Sequence, residues 1–239
     1  MQIPKFLHVT LISIMLSMPL LSKSQVKKPY LSSGWEFIFA FADYQKGPLY
    51  YDTPMRFSLF FHSESLVNYD VNKYFGLASG LAIRNIGFRT RNEQLNSDIR
   101  RRSYTLGVPA MVKIGDMKER KYAFAGLSYE LAFHYKYKRY EGGNRVERES
   151  TWFSREVNRF LPSAFAGFQY KSGYIKFQYY LDDFLNTDYL SNAGVRPYQD
   201  TKSRIFLVSI ASNIVKKKSE NKDKKKKEEK TKAALLGSL

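Results

Sequence analysis

The sequence predicts an all-β fold, an eight-stranded antiparallel transmembrane β-barrel, and three observations support it. Bulky apolar residues recur at every second position in separate segments, which is the period of a strand and not of a helix. The links between these segments alternate in length, which predicts short periplasmic turns and long outer loops. The face opposite the bulky residues is small or polar, which suits a narrow lumen surrounded by lipid.

The period of two is clearest in the first predicted strand, where Trp35, Phe37 and Phe39 alternate with smaller or charged residues. The same period recurs along the chain, and the shortest link covers residues 171–173. Pro109 fits the pattern badly, because it has no N–H for a ladder; it marks either a bulge or an end of regular pairing. The predicted strands cover residues 35–41, 55–62, 74–86, 104–113, 122–137, 163–170, 174–181 and 204–215.

The N-terminus is typical of an export signal that is cleaved. Lys5 precedes an apolar run over residues 6–21, and small residues at 22 and 24 suit a signal peptidase. The run is shorter than the about 20 apolar residues of a spanning helix, and Pro19 interrupts it. The predicted organisation is a signal peptide (1–24), a periplasmic N-terminal segment (25–33), the barrel (34–215) and a disordered, lysine-rich periplasmic tail (216–239).

Composition excludes several kinds of site. The chain has no cysteine, so neither disulfides nor thiolate metal ligands are available. There is no phosphate-binding glycine loop, no metal-ligand spacing and no nucleotide fingerprint, so we expect no cofactor and no metal. The strands of a soluble β-fold would also alternate apolar and polar side chains. However, the large apolar side chains on one face of these strands occupy too much volume for the inside of a small barrel.

Charged residues on the predicted inner face suggest a network that fills the lumen. Buried charges are tolerated when they are paired, so Glu36 and Glu130 are expected to accept hydrogen bonds from nearby Arg and Lys side chains. The alternative is a charged pathway, which would make the barrel a narrow channel for small solutes. The predicted network comprises Glu36, Arg56, Arg84, Glu130, His134, Lys136 and Lys176.

An enzyme is not expected, and no catalytic residue is assigned. Two histidines remain after the predicted cleavage, and no nucleophile signature accompanies either of them. His62 is expected near the periplasmic turn that follows the second strand. A serine and an acid within hydrogen-bond reach of His134, at the barrel rim, would favour a lipid-modifying enzyme.

Two predicted outer segments are candidate contact surfaces. Arg100, Arg101 and Arg102 precede the fourth strand, at the expected height of the lipid A phosphates, which arginine can bind with two hydrogen bonds. Generic anchoring at the membrane interface is the alternative. The third outer loop combines aromatic residues with arginine and is either a partner surface or part of an aromatic belt. Its candidate residues are Trp152, Phe153 and Arg155.

The tail is strongly basic, with ten lysines and four acids between residues 216 and 232. Such a run contains too little apolar surface to fold by itself. It is either a solvated tail or a tether to anionic partners such as peptidoglycan carboxylates or an acidic periplasmic protein. Nucleic acid is not an expected partner, because the chain is predicted to leave the cytoplasm.

Residues 76–87, 102–109 and 205–213 resemble strands of the PorT-like outer-membrane β-barrels of Bacteroidota, and more distantly of OmpA- and OmpX-type barrels. The resemblance covers residues 34–215 and implies a barrel inserted by the outer-membrane assembly machinery of a Gram-negative bacterium. Some relatives belong to protein secretion complexes. We therefore expect a structural or accessory barrel with a plugged lumen, and a narrow channel as the alternative.

Overall fold

The computed structural model describes residues 28–92 and 96–215 of the chain. The predicted signal peptide and the lysine-rich tail lie outside the described residues, so both stay predictions. Within these two ranges, no helix is long and apolar enough to cross a membrane. The strands are β1 (Tyr30–Lys46), β2 (Leu49–Tyr50), β3 (Arg56–Ser58), β4 (Ser63–Asp70), β5 (Phe75–Asn92), β6 (Ser97–Asp116), β7 (Lys121–Glu141), β8 (Asn144–Trp152), β9 (Phe160–Tyr170), β10 (Gly173–Tyr180) and β11 (Thr201–Val215).

The sheet closes on itself, which confirms the predicted fold class. β1 pairs with β11 in antiparallel register, from Ser32 opposite Val215 to Lys46 opposite Thr201. Closure pairs the first strand of the ring with the last and so removes the two free edges that an open sheet exposes. Short β2 and β3 pair with β1, and β8 pairs only with β7. The eight strands of the ring are, in order, β1, β4, β5, β6, β7, β9, β10 and β11.

The second strand differs from the prediction of residues 55–62. Arg56–Ser58 pairs with β1 alone, residues 59–62 leave the ladder, and Ser63–Asp70 is the segment that joins β1 to β5. The sequence pattern favoured 55–62 because that segment has more large apolar residues than the polar run after it. A strand facing a polar lumen needs no apolar inner face, so Ser63–Asp70 pairs regardless of its composition.

Alternation places large apolar side chains on the outside and polar ones inside. Trp35 is 68% exposed, whereas Glu36, the next residue, is 2% exposed. This polarity is the reverse of that of a soluble barrel, in which the apolar face is buried. Other exposed members of the outer apolar belt are Phe37, Leu81, Ile83, Val108, Val112, Leu127, Tyr129, Phe168, Phe177 and Ile210.

The prediction of a lumen lined by small residues is correct only in part. Near the end that holds the chain termini, the buried rings of Phe124, Phe165 and Tyr174 pack against each other inside the barrel. Glycines on neighbouring strands make room for them. A Cβ at Gly167 would lie 2.4 Å from the Phe124 ring, and one at Gly126 would lie 2.8 Å from the Phe165 ring. The small residues therefore accommodate large neighbours and do not leave the lumen open.

Pro109 marks an interruption of the β5–β6 ladder. Pairing stops after Ser79 opposite Ala110 and resumes at Ala82 opposite Gly107, with the same register on both sides. The hydroxyl of Ser79 donates to the Pro109 carbonyl at 2.8 Å. The strand thus tolerates the missing N–H by losing two ladder positions, without a bulge at that point.

The two ends of the barrel differ in the length of their links. At the end with the termini, residues 71–74, 117–120 and 171–172 connect neighbouring strands. At the opposite end, the outer halves of β5, β6 and β7 continue beyond the ring as a projecting sheet, in which β8 pairs with β7. β1 begins at Tyr30, so residues 30–33 belong to the barrel and not to the predicted periplasmic segment.

Candidate functional site

Arg84 is the centre of a buried ion network in the middle of the lumen. Its guanidinium donates to Glu64 at 2.6 Å, to Glu130 at 2.8 Å and to Glu36 at 3.5 Å. No side chain in this group is more than 6% exposed. A cation held by three carboxylates from three other strands ties opposite walls of the barrel together.

Lys176 supplies the second cation of the network. Its ammonium contacts the Glu36 carboxylate and lies 3.3 Å from Glu64. Two cations face three carboxylates, and neutral hydroxyl and amide groups donate further hydrogen bonds to Glu36 and Glu130. A buried ion network is stable only when its lone pairs are satisfied in this way. The neutral donors are Tyr174 to Glu36, and Tyr180, Thr105 and Gln178 to Glu130.

The structure brings together four of the residues predicted for the network: Glu36, Arg84, Glu130 and Lys176. Sequence reasoning missed Glu64, because the strand that carries it was not predicted. Period-two alternation continued past residue 62 would have found it. Arg56 lies apart from the carboxylates and donates to the Asn85 carbonyl at 3.1 Å and to its side chain at 2.8 Å.

His134 and Lys136 are not in the lumen, so this part of the prediction is wrong. Thr105 pairs with Ala132 and Tyr104 with His134, which leaves one unpaired residue, a β-bulge, in β7. A bulge adds a residue to one strand, so every later side chain of that strand changes face. Tyr135 is fully buried as a result, and the side chains at 134 and 136 point outward.

The end of the lumen opposite the termini is filled by an aromatic cluster. The loop before β11 folds into the barrel mouth, where Phe184 and Leu185 are 1% and 0% exposed. They pack with the buried rings of Tyr135, Tyr180 and Phe88. This cluster and the Arg84 network occupy the lumen at two levels.

Arg101 belongs to the same inner cluster and is therefore not available to lipid, contrary to the prediction. Its guanidinium lies over the rings of Tyr137 at 5.4 Å, Tyr44 at 5.6 Å and Phe88 at 5.9 Å. Alternation explains this, because the middle residue of a three-arginine run on a strand faces away from the other two. The alternation of side chains along a strand is therefore enough to place Arg101 on the face opposite that of Arg100 and Arg102.

Glu156 closes the upper part of this cluster. The Tyr198 hydroxyl donates to its carboxylate at 2.5 Å, and both side chains are buried. Burial raises the pKa of the Glu156 carboxyl, and the hydrogen bond from Tyr198 opposes part of that shift. The pair holds the loops before β9 and β11 together at the barrel mouth.

The outer face of the projecting sheet carries rows of cations. Arg89, Arg100, Lys138 and Arg148 are paired in sequence across β5, β6, β7 and β8. Directly paired residues of neighbouring strands share a face. One row closer to the apolar belt, Arg102 pairs with Lys136. Next to the belt is an aromatic row, in which His134 stacks on Tyr104 at 5.6 Å and on Trp152 at 4.3 Å.

Asp98 is the one acid that contacts this cationic face among the described residues. Its carboxylate accepts from Arg89 at 2.5 Å and from Arg100 at 3.0 Å. Burial by itself raises the pKa of Asp98, but the hydrogen bonds from the two guanidinium groups outweigh burial and lower the pKa. Six cations and one carboxylate leave this face strongly positive.

Trp152, Phe153 and Arg155, predicted as one contact surface, have separate surroundings. Trp152 is 64% exposed and completes the aromatic row. Phe153 is 51% exposed and has a φ of 51°, where the chain turns out of β8. Arg155 is exposed, and its carbonyl accepts from the Asn186 side chain.

Both described histidines contact a serine. His62 accepts the Asn85 N–H at Nδ1, so Nε2 carries the proton and donates to Ser58 Oγ at 2.7 Å. This His62 tautomer cannot take a proton from that serine. His134 Nε2 lies 2.9 Å from Ser150 Oγ on the outer face. No cluster of described residues could hold a metal ion.

No protein-family model and no curated protein sequence matches the chain. Several solved structures are similar to it, among them the following three. Ail of Yersinia pestis, in complex with the heparin analogue sucrose octasulfate, is 13% identical with a TM-score of 0.40, and the match covers 77% of this chain and 99% of Ail. Neisserial surface protein A is 12% identical with a TM-score of 0.37, and the match covers 80% of this chain and 99% of that protein. OprG from Pseudomonas aeruginosa is 8% identical with a TM-score of 0.34, and the match covers 79% of this chain and 97% of OprG.

At these identities and TM-scores the likeness extends no further than a similar fold. The resemblance to PorT-like barrels is tested by none of these matches and stays a prediction.

Proposed function

We propose that the protein is an integral barrel of the outer membrane of a Gram-negative bacterium, with a sealed lumen, and that it acts as a structural or accessory protein through its outer surfaces. The observation that carries this proposal is the reversed polarity of the wall. Water-exposed barrels bury apolar side chains, whereas here Trp35 is exposed and Glu36 is buried. Only a lipid environment makes such an outer face favourable.

Strand length supports an orientation in which the projecting sheet lies outside the cell. A membrane strand needs about 9–11 tilted residues. β6 and β7 have 20 and 21 residues, so each extends well beyond the apolar belt. Their short turns and the chain termini then face the periplasm, as in other barrels of this kind. The cationic rows of the projecting sheet lie just above the outer leaflet.

A sealed barrel is expected to conduct no ions. In planar bilayers, the purified protein should show no stepwise conductance above that of the empty membrane, because the Arg84 network and the aromatic cluster fill the lumen. A known open porin, treated identically, is the positive control. Reproducible unitary conductance steps would contradict the sealed lumen and favour the narrow-channel alternative.

A lipid-modifying enzyme is a second candidate, favoured by the outward-facing contact between His134 and Ser150. Within the described ranges no carboxylate contacts His134 to orient it, so a complete Ser-His-acid arrangement is absent there. We expect no release of fatty acid from vesicles of phospholipid and lipid A. Release that disappears in both Ser150→Ala and His134→Ala would instead establish the enzyme.

A further inference from the structure

We propose that a groove on the outer wall, beside β3 and β5, binds the phosphorylated headgroup of an outer-leaflet glycolipid, with acyl chains against its aromatic side. This proposal rests on the proposed membrane location. It names the ligand class that the outer surface recognises, and it assigns the site to side chains on four neighbouring strands.

The cationic side of the groove holds more positive charge than the protein neutralises. Arg100 and Lys138 are directly paired, as are Arg102 and Lys136. Like charges placed opposite each other on neighbouring strands repel. Burial and then the nearby guanidinium groups, Arg102 first, lower the pKa of Lys138, which lies above the apolar belt. An anion bound between these residues would relieve the repulsion.

The groove exists because the barrel wall has a seam. The ladder between β4 and β5 ends at Ser63 opposite Ile83, although β5 continues toward the projecting sheet. β3, which precedes β4 in the chain, pairs with β1 but not with β5. Side chains join the two sides of the seam, since Arg56 donates to Asn85 and the Asn85 N–H donates to His62. Where no strand fills the wall, the surface recedes and forms the concavity.

The concavity is large enough for a headgroup and has two chemically different sides. Its volume is about 670 Å³, within the range of small-molecule sites. The cations form one side, and exposed apolar residues of β3 and the segments that flank it form the other. These apolar residues are Met55, Phe57, Phe60 and Phe61, which are 50%, 48%, 70% and 64% exposed.

Phe61 is held in an unfavourable backbone conformation at the edge of the groove. Its φ is 64°, a region that bulky residues rarely adopt. Its ring packs edge-on against Tyr104 at 5.5 Å, and the ring of Tyr104 also lies 5.1 Å from the Lys136 ammonium. Strained residues of this kind concentrate at binding sites, where surrounding contacts maintain them. The contacts of Tyr104 with Phe61 and Lys136 therefore join the aromatic side of the groove to the cationic side.

A phosphorylated lipid fits this surface better than a soluble polyanion does. Arginine binds phosphate with two hydrogen bonds, and Arg100 and Arg102 both face the groove. A soluble anion would use these cations but would leave Phe60 and Phe61 exposed to water. The aromatic row beside the groove marks the membrane interface, where lipid phosphates lie.

The test compares retention of lipid A that bears its phosphates with lipid A that lacks them. The protein is reconstituted in phosphatidylcholine nanodiscs that contain one or the other, and retained lipid is measured by native mass spectrometry. The double variant Arg100→Gln/Lys138→Gln should bind phosphorylated lipid about 100-fold more weakly, since each charge-assisted contact contributes about tenfold. The matched control is Arg139→Gln, on the opposite face of β7.

Phe60→Ser separates a lipid from a soluble anion. It should weaken retention of phosphorylated lipid A and leave the binding of inorganic polyphosphate unchanged. Equal retention of both lipids, or an effect of Arg139→Gln as large as that of the double variant, would overturn the proposal. Polyphosphate binding without lipid retention would also overturn it and would indicate a soluble polyanion. A protein that inserts as a barrel yet retains no lipid refutes only this site, whereas failure to insert refutes the proposed function.

Discussion

Arg84→Met is expected to destabilise the barrel by about 4 kcal/mol, because removing one partner of a buried ion group leaves the others uncompensated. Glu36, Glu64 and Glu130 would lose their shared cation, and Lys176 can reach only two of them. The free energy of unfolding is measured by urea titration of the protein refolded into vesicles. Methionine keeps most of the side-chain volume of arginine. The decrease in the free energy of unfolding therefore reflects the lost charge more than lost packing.

Acid pH distinguishes lost charge from lost packing in Arg84→Met. In the variant, the carboxylates that have lost Arg84 would take up protons as the pH falls. The difference in free energy of unfolding between the parent protein and the variant should therefore shrink. A deficit that stays constant with pH would contradict the electrostatic explanation. Arg139→Gln is the matched control, since Arg139 is 40% exposed where it pairs with Glu141. Such a surface pair contributes no more than about 1 kcal/mol.

Gly167→Ile is expected to destabilise the barrel by about 3 kcal/mol through overpacking. A Cβ at this position would lie 2.3 Å from the Ile175 carbonyl oxygen and 2.4 Å from the Phe124 ring. The backbone contact cannot be relieved by a rotamer change, so β9 or β10 would have to move. The same urea titration measures the effect.

Ala166→Ile is the matched control for Gly167→Ile. Ala166 is the neighbouring residue on β9 and faces outward, where it is exposed. A larger apolar side chain there adds contact with lipid and should leave stability equal or slightly higher. If Ala166→Ile were as harmful as Gly167→Ile, the outer face of β9 could not be in lipid, and the membrane proposal would fail.

Sequence period predicted most of the barrel wall. Strands β1, β5, β6, β7, β9, β10 and β11 cover the predicted segments except for Tyr74 and Leu181 at two ends, and the alternation at Trp35 and Glu36 assigns the correct faces. These features follow from neighbouring residues, because the pleat of a strand sends successive side chains to opposite faces. The links after the first, fifth and seventh predicted strands are long as predicted, but the link after the third is not, because β5 and β6 continue to pair up to Asn92 opposite Ser97.

The second strand was missed because its composition does not mark a buried apolar face, and only the alternation carried on from His62 would have placed Glu64 inside. Glu64 and Asn68 are buried on β4, while Val67 is exposed. Such a strand is defined by the neighbours β1 and β5 and not by its own hydrophobic pattern. Because this strand was not predicted, Glu64 was not predicted as a member of the Arg84 network.

What the sequence by itself determined is the strand period, the polarity of the two faces and the presence of acids and bases inside the barrel. What only the tertiary structure decided is register and interruption: the bulge that turns His134 and Lys136 outward, and the seam that creates the outer groove. The physical reason is that side-chain alternation is a local property of one strand. Bulges and missing ladders depend on how two strands fit together, and no single segment of the sequence encodes that fit.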